Sequence, residues 1–192
     1  MENRTELYKE KLAKLKDLPL AEKNIRVAGL VTEYVEKKHP KIQLIVVGGL
    51  SVEYYTTGQY ATVDIDFVAT SHEKIMEALV DLGFERQGKD SYLKELQVSV
   101  EIPDNHLEGS YDKVRDVLTD DGCIVHMISP EDIFCDRLRA LVHWKEKEQL
   151  KWMTKLYEGN DLDHDYIYSR LVGFKEKEVA DVFFNAIKEQ EQ

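Results

Sequence analysis

The sequence has few cysteines and no long apolar segment. Its two cysteines, Cys123 and Cys135, are too far apart to form a Cys-x-x-Cys metal or redox motif. No apolar run reaches the about 18 residues that a transmembrane helix needs, and residues 1–6 lack the apolar core of a signal peptide. We therefore expect reduced thiols and a soluble, cytoplasmic protein that has no membrane partner.

Positive charge is also scarce. The chain has 26 Lys and Arg against 37 Asp and Glu, a formal net charge of −11. Because affinity for a nucleic-acid backbone comes mostly from Lys and Arg, this balance argues against an extended nucleic-acid-binding surface. The 192 residues, 43% of them hydrophobic, are enough for one substantial core, and no repeat or linker divides the chain.

Hydrophobic periodicity predicts helices that alternate with strands. Helices are expected over residues 6–18, 20–38, 50–57, 71–82, 129–151 and 175–189, with another beginning at 165, and strands over 42–47, 63–68, 84–87, 92–102, 113–119 and 123–128. This order predicts an α/β fold with a mixed sheet flanked by helices. We assign residues 1–128 to that core, including two N-terminal helices, and 129–192 to a C-terminal helical part packed on it.

A glycine pair interrupts the chain where the first predicted strand turns into a helix. Gly48 and Gly49 lack a Cβ atom, so the backbone here can take a positive φ and approach a ligand closely. Free N–H groups and the positive end of the helix dipole then favour an anion. Ser51 follows in the first helical turn, where its hydroxyl can add a donor. The pattern is typical of a phosphate-binding turn.

Two aspartates share one face of the next predicted strand. Asp64 and Asp66 are two residues apart, which separates their Cα atoms by about 6.6 Å. Their neighbours Val63, Ile65 and Phe67 are apolar. Anions held this close repel and are costly to desolvate unless a cation lies between them. Oxygen-only ligands favour Mg²⁺ or Mn²⁺; the alternative is a solvated strand edge.

These two motifs, in this order, carry a family resemblance. Gly-Gly-Leu-Ser at 48–51 and Asp-Ile-Asp at 64–66 resemble the signature of the nucleotidyltransferase superfamily of the polymerase-beta type, with a spacer, 50–63, at or slightly beyond its usual long end. Residues 129–144 contain Ser-Pro-Glu-Asp, Asp-Arg-Leu-Arg-Ala and His-Trp. That stretch is similar to AbiEii-type toxin nucleotidyltransferases and their bacterial relatives. The resemblance spans roughly residues 42–155.

The resemblance implies a metal-dependent nucleotidyltransferase that moves an NMP from an NTP to a hydroxyl and releases pyrophosphate. Asp64 and Asp66 are then expected to bind Mg²⁺ or Mn²⁺. Gly48, Gly49 and Ser51 are expected to hold the β and γ phosphates. The fold implied is the nucleotidyltransferase-like form of the mixed α/β sheet.

A third carboxylate belongs to this family pattern on a strand after the aspartate pair. We choose Glu101, which would hold the catalytic metal or accept a proton from the attacking hydroxyl. Glu95 and Asp104 are the rival positions. The alternative for Glu101 is a solvated position on the outer face of the strand.

Two further residues match positions that the resemblance associates with the nucleotide. Thr62 stands just before the aspartate pair, where relatives often have Ser or Thr, although a β-branched residue also starts strands well. Arg137 is the best candidate to neutralise the triphosphate. The alternative is a surface ion pair with Asp136 or Glu131.

The partners stay open at this stage. The resemblance implies an NTP substrate and an acceptor that is a tRNA end, a protein or a small molecule, and the acidic balance disfavours tRNA. Two other classes of function are open. One is a catalytically inactive nucleotide- or partner-binding protein of the same fold, and the other is one half of a toxin–antitoxin or phage-defence pair with a cognate antitoxin.

Overall fold

The structure, a computed structural model, describes residues 2–190. The helices are α1 (Glu2–Ala13), α2 (Leu20–Lys38), α3 (Gly48–Tyr55), α4 (His72–Asp81), α5 (Pro130–His143), α6 (Gln149–Gly159), α7 (His164–Arg170) and α8 (Gly173–Gln190). The strands are β1 (Ile45–Val47), β2 (Asp64–Val68), β3 (Glu85–Gln87), β4 (Asp90–Leu93), β5 (Val98–Asp104), β6 (Arg115–Leu118) and β7 (Ile124–Met127), and a 3₁₀ helix spans Tyr111–Lys113. Across these residues no helix combines the length and apolarity needed to span a bilayer.

The strands form a single mixed sheet. Their order is β3-β4-β5-β2-β1-β7-β6. The pairs β1–β7 and β2–β5 are parallel, whereas the other neighbouring pairs are antiparallel. Helix α2 packs on β7, α3 packs on β2, and α5 contacts α3 as well as α6, α7 and α8. The expected α/β fold, a mixed sheet flanked by helices with further helices at the C-terminal end, is confirmed.

Helix α2 shows why the periodicity predicted its bounds correctly. Val27, Leu30, Val31 and Val35 recur at helical spacing and are fully buried. The helix begins directly after Pro19, at the bounds expected from the sequence. Helix α2 therefore covers the sheet beside the strands that carry the site.

The predicted strand 92–102 is wrong in one respect, because the structure divides it. Strand β4 ends at Leu93 and β5 begins at Val98. Between them the N–H of Leu96 donates to the carbonyl of Leu93 at 3.2 Å, and Gln97 has a φ of 55°. Glu95 therefore lies in an exposed turn rather than on a strand.

The helix expected to continue from Ser129 to 151 is also divided. Helix α5 ends at His143, and Lys145 has a φ of 60°, which a right-handed helix cannot contain. Helix α6 then begins at Gln149. The start is as expected, since the Ser129 hydroxyl accepts the N–H of Asp132 at 3.0 Å.

Candidate functional site

The glycine corner is in direct contact with the second aspartate. Gly48 has a φ of 60°, and a Cβ atom there would overlap Oδ2 of Asp66. The backbone N–H of Gly49 is near enough to the Asp66 carboxylate to lower its pKa. Helix α3 begins at these glycines, so its first N–H groups lie beside the same carboxylate. The two motifs, separated in sequence, therefore meet at one place.

Sheet register brings the third carboxylate beside the pair. In the parallel ladder between β2 and β5, Asp66 lies opposite Glu101 and Asp64 lies opposite Ser99. Neighbouring strands are about 4.8 Å apart, and paired residues share a face. Asp64, Asp66 and Glu101 accordingly occupy one face of the sheet, and all three side chains are partly exposed.

Asp90, which lies between the predicted strands 84–87 and 92–102, adds a further carboxylate. Strand β4 begins at Asp90, and Ser91 pairs with Val100, so Asp90 is the cross-strand neighbour of Glu101. Its Oδ1 atom is buried without a hydrogen-bond partner among the described residues. The Nζ atom of Lys89 lies 4.0 Å from Oε2 of Glu101, but the side chain of Lys89 is largely exposed. Asp90 is the neighbour of Glu101 because β4 and β5 pair in this register. The sequence pattern alone does not predict that register.

The electrostatics of the carboxylates reflect burial and mutual repulsion. Burial, followed by the negative charge of Glu101, raises the pKa of Asp66 to about 6, with a further contribution from Asp64. The N–H of Gly49 and the charge of Arg137 act in the opposite direction. Burial also raises the pKa of Glu101, and the charge of Asp90 is the next cause. A cation at this face would relieve both effects.

The donor set fits a divalent cation whose remaining ligands are water or phosphate oxygens. Among residues 2–190, no group of three or more His, Cys, Asp or Glu side chains is already gathered around a common metal position. Magnesium, however, is commonly held by one or two carboxylates, with water and substrate phosphates completing its shell. Asp64 and Asp66 supply two such carboxylates on one face. At least one of the side chains of Asp64, Asp66 and Glu101 would have to move for all three to hold the same cation.

A pocket of about 290 Å³ opens at Asp66. Its walls come from four parts of the chain: Val47 and Gly48 at the corner, Asp66 and Val68 of β2, Pro103, Asp104, His106 and Glu108 at and after the end of β5, and Ile128 before α5 with Ile133, Asp136 and Arg137 of α5. Of the residues expected at the site, Gly48, Asp66 and Arg137 line it. Asp104, a rival of Glu101, lines it as well.

A larger groove of about 500 Å³ lies elsewhere, between α6 and α8. Its described lining is almost entirely apolar, and Glu178 is the one ionisable residue in it. It has neither the glycine corner nor the aspartates. The smaller polar pocket is therefore the candidate site.

Ser51 and Thr62 do not face this pocket as donors. Ser51 is fully buried and its hydroxyl donates to the carbonyl of Gly48 at 2.8 Å, so it stabilises the turn. This differs from the expectation of a phosphate contact, because the start of α3 at the glycines turns Ser51 inwards. Thr62 Oγ1 accepts the N–H of Asp64 at 3.3 Å and would lie 2.8 Å from a Cβ at Gly49. It thus shapes the approach of β2 to α3.

Arg137 forms one of the ion pairs expected of it and also lines the pocket. Its Nε donates to Oδ2 of Asp136 at 2.9 Å, so the ion pair is present. Both residues also line the pocket, and the charge of Arg137 lowers the pKa of Asp66. The guanidinium is thus held at the pocket by its acidic neighbour.

No protein-family model matches the sequence, and no curated protein matches it. The structure is similar to an antigenic nucleotidyltransferase-like protein from Paracoccidioides brasiliensis, at 17% identity and a TM-score of 0.51, over 69% of this chain and 75% of that one. The antibiotic-resistance factor ANT(2'')-Ia aligns over 86% of this chain and 97% of its own at 11% identity, but its TM-score of 0.48 is too low to support an argument. The fold is therefore nucleotidyltransferase-like, and the activity rests on the site.

Proposed function

We propose that the protein is a metal-dependent nucleotidyltransferase that transfers an NMP from an NTP to a hydroxyl. The observation that carries the proposal is the contact between the glycine corner and Asp66. A cation on that carboxylate would lie beside the first N–H groups of α3, where a helix N-terminus favours a phosphate. Cation and polyphosphate are needed together in this reaction.

Each residue has a distinct role in the proposal. Asp64 and Asp66 would bind Mg²⁺ or Mn²⁺, which when bound neutralises phosphate charge and orients the phosphates. The backbone at Gly48 and Gly49 would hold the β and γ phosphates. Arg137, which lines the same pocket, would offset the remaining negative charge.

The reaction is an in-line substitution at the α-phosphorus. The acceptor oxygen forms a new bond to phosphorus, the bond from phosphorus to the bridging oxygen of the β-phosphate breaks, and pyrophosphate leaves. The acceptor hydroxyl loses its proton to a carboxylate. Glu101, opposite Asp66 in the sheet, is our choice, and Asp104, at the pocket wall, is its rival.

The charge of the residues that line the pocket favours some classes of acceptor over others. Asp104, Glu108 and Asp136 line it, whereas Arg137 contributes the one Lys or Arg side chain in the described lining. Such a wall supports a small-molecule or protein hydroxyl over a polyanionic tRNA end. The resemblance to AbiEii-type toxins extends the proposal to a toxin–antitoxin or phage-defence pair, in which a cognate antitoxin would be the partner.

A second candidate is a nucleotide- or partner-binding protein of the same fold without catalysis. Two observations favour it: residues 2–190 present no preformed group of three metal-binding side chains, and Arg137 is already engaged by Asp136. Binding without transfer distinguishes this candidate from the first.

The test is a thermal-shift screen with ATP, GTP, CTP and UTP, each with and without Mg²⁺ or Mn²⁺. The proposal predicts that at least one NTP stabilises the protein only with metal, and that Asp64→Asn/Asp66→Asn abolishes this gain. The matched control is Asp112→Asn/Asp120→Asn, which makes the same change of charge at two exposed aspartates. Equal stabilisation of both double variants without metal would favour metal-free binding and overturn the enzyme proposal.

A further inference from the structure

One wall of the pocket is a segment without regular secondary structure. Residues 105–110 connect β5 to the 3₁₀ helix and contribute His106 and Glu108 to the pocket, next to Asp104. Near its start, Oδ1 of Asp104 accepts the N–H of His106 at 3.0 Å. Leu107 is buried. Because a segment without a strand or helix partner depends on a few contacts for its position, each of these contacts matters.

The far end of this segment is attached to helix α5 through Asp132. The N–H of Ser110 donates to Oδ2 of Asp132 at 3.1 Å. The same oxygen accepts the Ser129 hydroxyl at 3.0 Å, and Oδ1 accepts the Tyr166 hydroxyl at 2.8 Å. Asp132 is only 1% exposed. One buried carboxylate therefore joins the segment, the start of α5 and helix α7.

Gly109 shows how closely the segment packs on this carboxylate. A Cβ atom at Gly109 would lie 2.8 Å from Oδ2 of Asp132 and 2.9 Å from its carboxyl carbon. Any side chain there would push the segment away from α5. The contact thus depends both on the charge of Asp132 and on the absence of a side chain at Gly109.

The opposite wall of the pocket belongs to the same helix. Ile133 follows Asp132 directly, and Asp136 and Arg137 lie about one turn further along α5. The position of the segment relative to Asp132 consequently sets the distance between the two walls.

A second link between the walls is weaker. Nη1 of Arg139 lies 3.7 Å from Oε1 of Glu108, but the Glu108 side chain is 77% exposed. Exposed ion pairs contribute little because solvent screens them. The buried carboxylate of Asp132 is the stronger of the two links.

We propose that Asp132 is a positioning residue that sets the width of the pocket by fastening residues 105–110 to α5. This inference rests on the proposed function, because it holds that the width of the pocket determines whether the nucleotide is placed correctly. Misplacement of a binding wall by about 1 Å is enough to lower binding or turnover substantially.

The first measurement is amide hydrogen exchange, which needs no ligand. Asp132→Asn replaces a carboxylate oxygen by an amide, and we expect exchange in residues 105–110 to accelerate by about 10-fold or more. The matched control is Glu131→Gln, a buried carboxylate of the same helical turn that contacts Arg115 and the N–H of Asp163 instead. In the control, exchange in residues 105–110 should stay at the wild-type rate. Equal acceleration in both variants would overturn the proposal.

The second measurement is the dissociation constant of the NTP that stabilises the wild-type protein most, measured with Mn²⁺. We expect it to rise by about 10-fold in Asp132→Asn and by less than about 2-fold in Glu131→Gln. Faster exchange without weaker binding would overturn the role in nucleotide placement. A wild-type protein that binds no NTP would instead contradict the proposed function, which the exchange data do not test.

Gly109→Ala provides a variant that leaves Asp132 and its helix unchanged. The added methyl group would lie 2.8 Å from Oδ2 of Asp132 and push the segment and that carboxylate apart, so the same faster exchange and weaker binding are expected even if Asp132→Asn does not fold. If Gly109→Ala showed the wild-type rate of amide exchange in residues 105–110 and the wild-type affinity for the NTP, the inference would be contradicted.

Discussion

The carboxylate of Asp66 fills the space in which a side chain on residue 48 would lie. This relationship makes a glycine necessary at the corner for two reasons: the positive φ of Gly48 and the presence of Asp66. It also places a carboxylate of β2 at the N-terminus of α3, where the proposed cation and phosphate would meet.

Gly48→Ala is expected to lower the free energy of unfolding by about 1–3 kcal/mol and to abolish metal-dependent stabilisation by NTP. The added methyl group would displace Asp66 as well as strain the backbone. Urea unfolding and thermal shift measure the two effects.

The control for this substitution is Gly58→Ala. Gly58 has a φ of 79°, but no heavy atom lies within 4 Å of a Cβ placed there. Gly58→Ala should therefore lose stability through backbone strain but keep the metal-dependent stabilisation by NTP. Loss of that response in both variants would mean that contact with Asp66 is not the cause.

The contribution of Asp66 to the stability of the ligand-free protein should fall between about pH 4 and pH 6. Burial raises the pKa of its carboxyl from 3.8 to about 6. Between these values the folded state binds more protons than the unfolded state, so unfolding becomes easier as pH rises, and the effect levels off above the folded pKa.

Asp66→Asn should remove this fall and stabilise the ligand-free protein at pH 7.5 by about 1–3 kcal/mol. Urea unfolding of both proteins at pH 4.5 and pH 7.5 measures it. An unchanged pH slope in the variant would show that Asp66 is not the destabilising group.

His126 should make the stability of the folded protein depend on pH in a second, higher range. Its Nε2 lies 3.1 Å from Oε1 of Glu36, and its Nδ1 lies 2.6 Å from Oδ1 of Asp116. The contact with Glu36 raises the pKa of His126 most, and Asp116 adds to it, although burial opposes them. The stabilisation is thus fully present below the unfolded pKa of about 6.5 and is lost as pH rises through the raised folded pKa.

The variant His126→Gln should lose stability at pH 6 and approach the wild-type free energy of unfolding at pH 9. Titration of the His126 ring by NMR gives the folded pKa directly. A ring pKa at or below its ordinary value would contradict the account of this ion pair.

Arg137→Met should weaken binding of the metal-bound NTP by about 10-fold or more, because it removes the one guanidinium among the described lining residues. It should also raise the pKa of Asp66, since the charge of Arg137 lowers it. Isothermal titration with NTP and Mn²⁺ measures the affinity.

The control is Arg86→Met, which breaks an exposed ion pair with Glu73 at 3.5 Å in another part of the sheet. The affinity of Arg86→Met for the metal-bound NTP should equal that of the wild-type protein. Equal loss in both variants would indicate a general effect of charge rather than a contact at the pocket.

The sequence predicted those features that local chemistry determines. Helix α2 has the expected bounds because Pro19 precedes it and apolar residues recur at helical spacing. The aspartate pair was found because alternation along a strand places Asp64 and Asp66 on one face. The paired strand β5 then carried the residue expected beside them, Glu101.

What the sequence could not show depends on tertiary register and on single backbone angles. Asp90 lies beside Glu101 only because β4 and β5 pair in one particular register. Gln97 and Lys145 adopt positive φ although neither is glycine, so the breaks after β4 and α5 had no sequence signal. Ser51 turns inwards because α3 begins at the glycines rather than at Leu50.

The most direct test of the central claim is electron paramagnetic resonance of Mn²⁺ titrated into the protein with and without an NTP. The account predicts that wild-type protein binds Mn²⁺ more tightly when the NTP is present, and that Asp66→Asn loses this gain while Asp112→Asn keeps it. Binding of Mn²⁺ and NTP by Asp66→Asn as tight as that of the wild-type protein would contradict the claim that Asp66 and the glycine corner form the metal–nucleotide site.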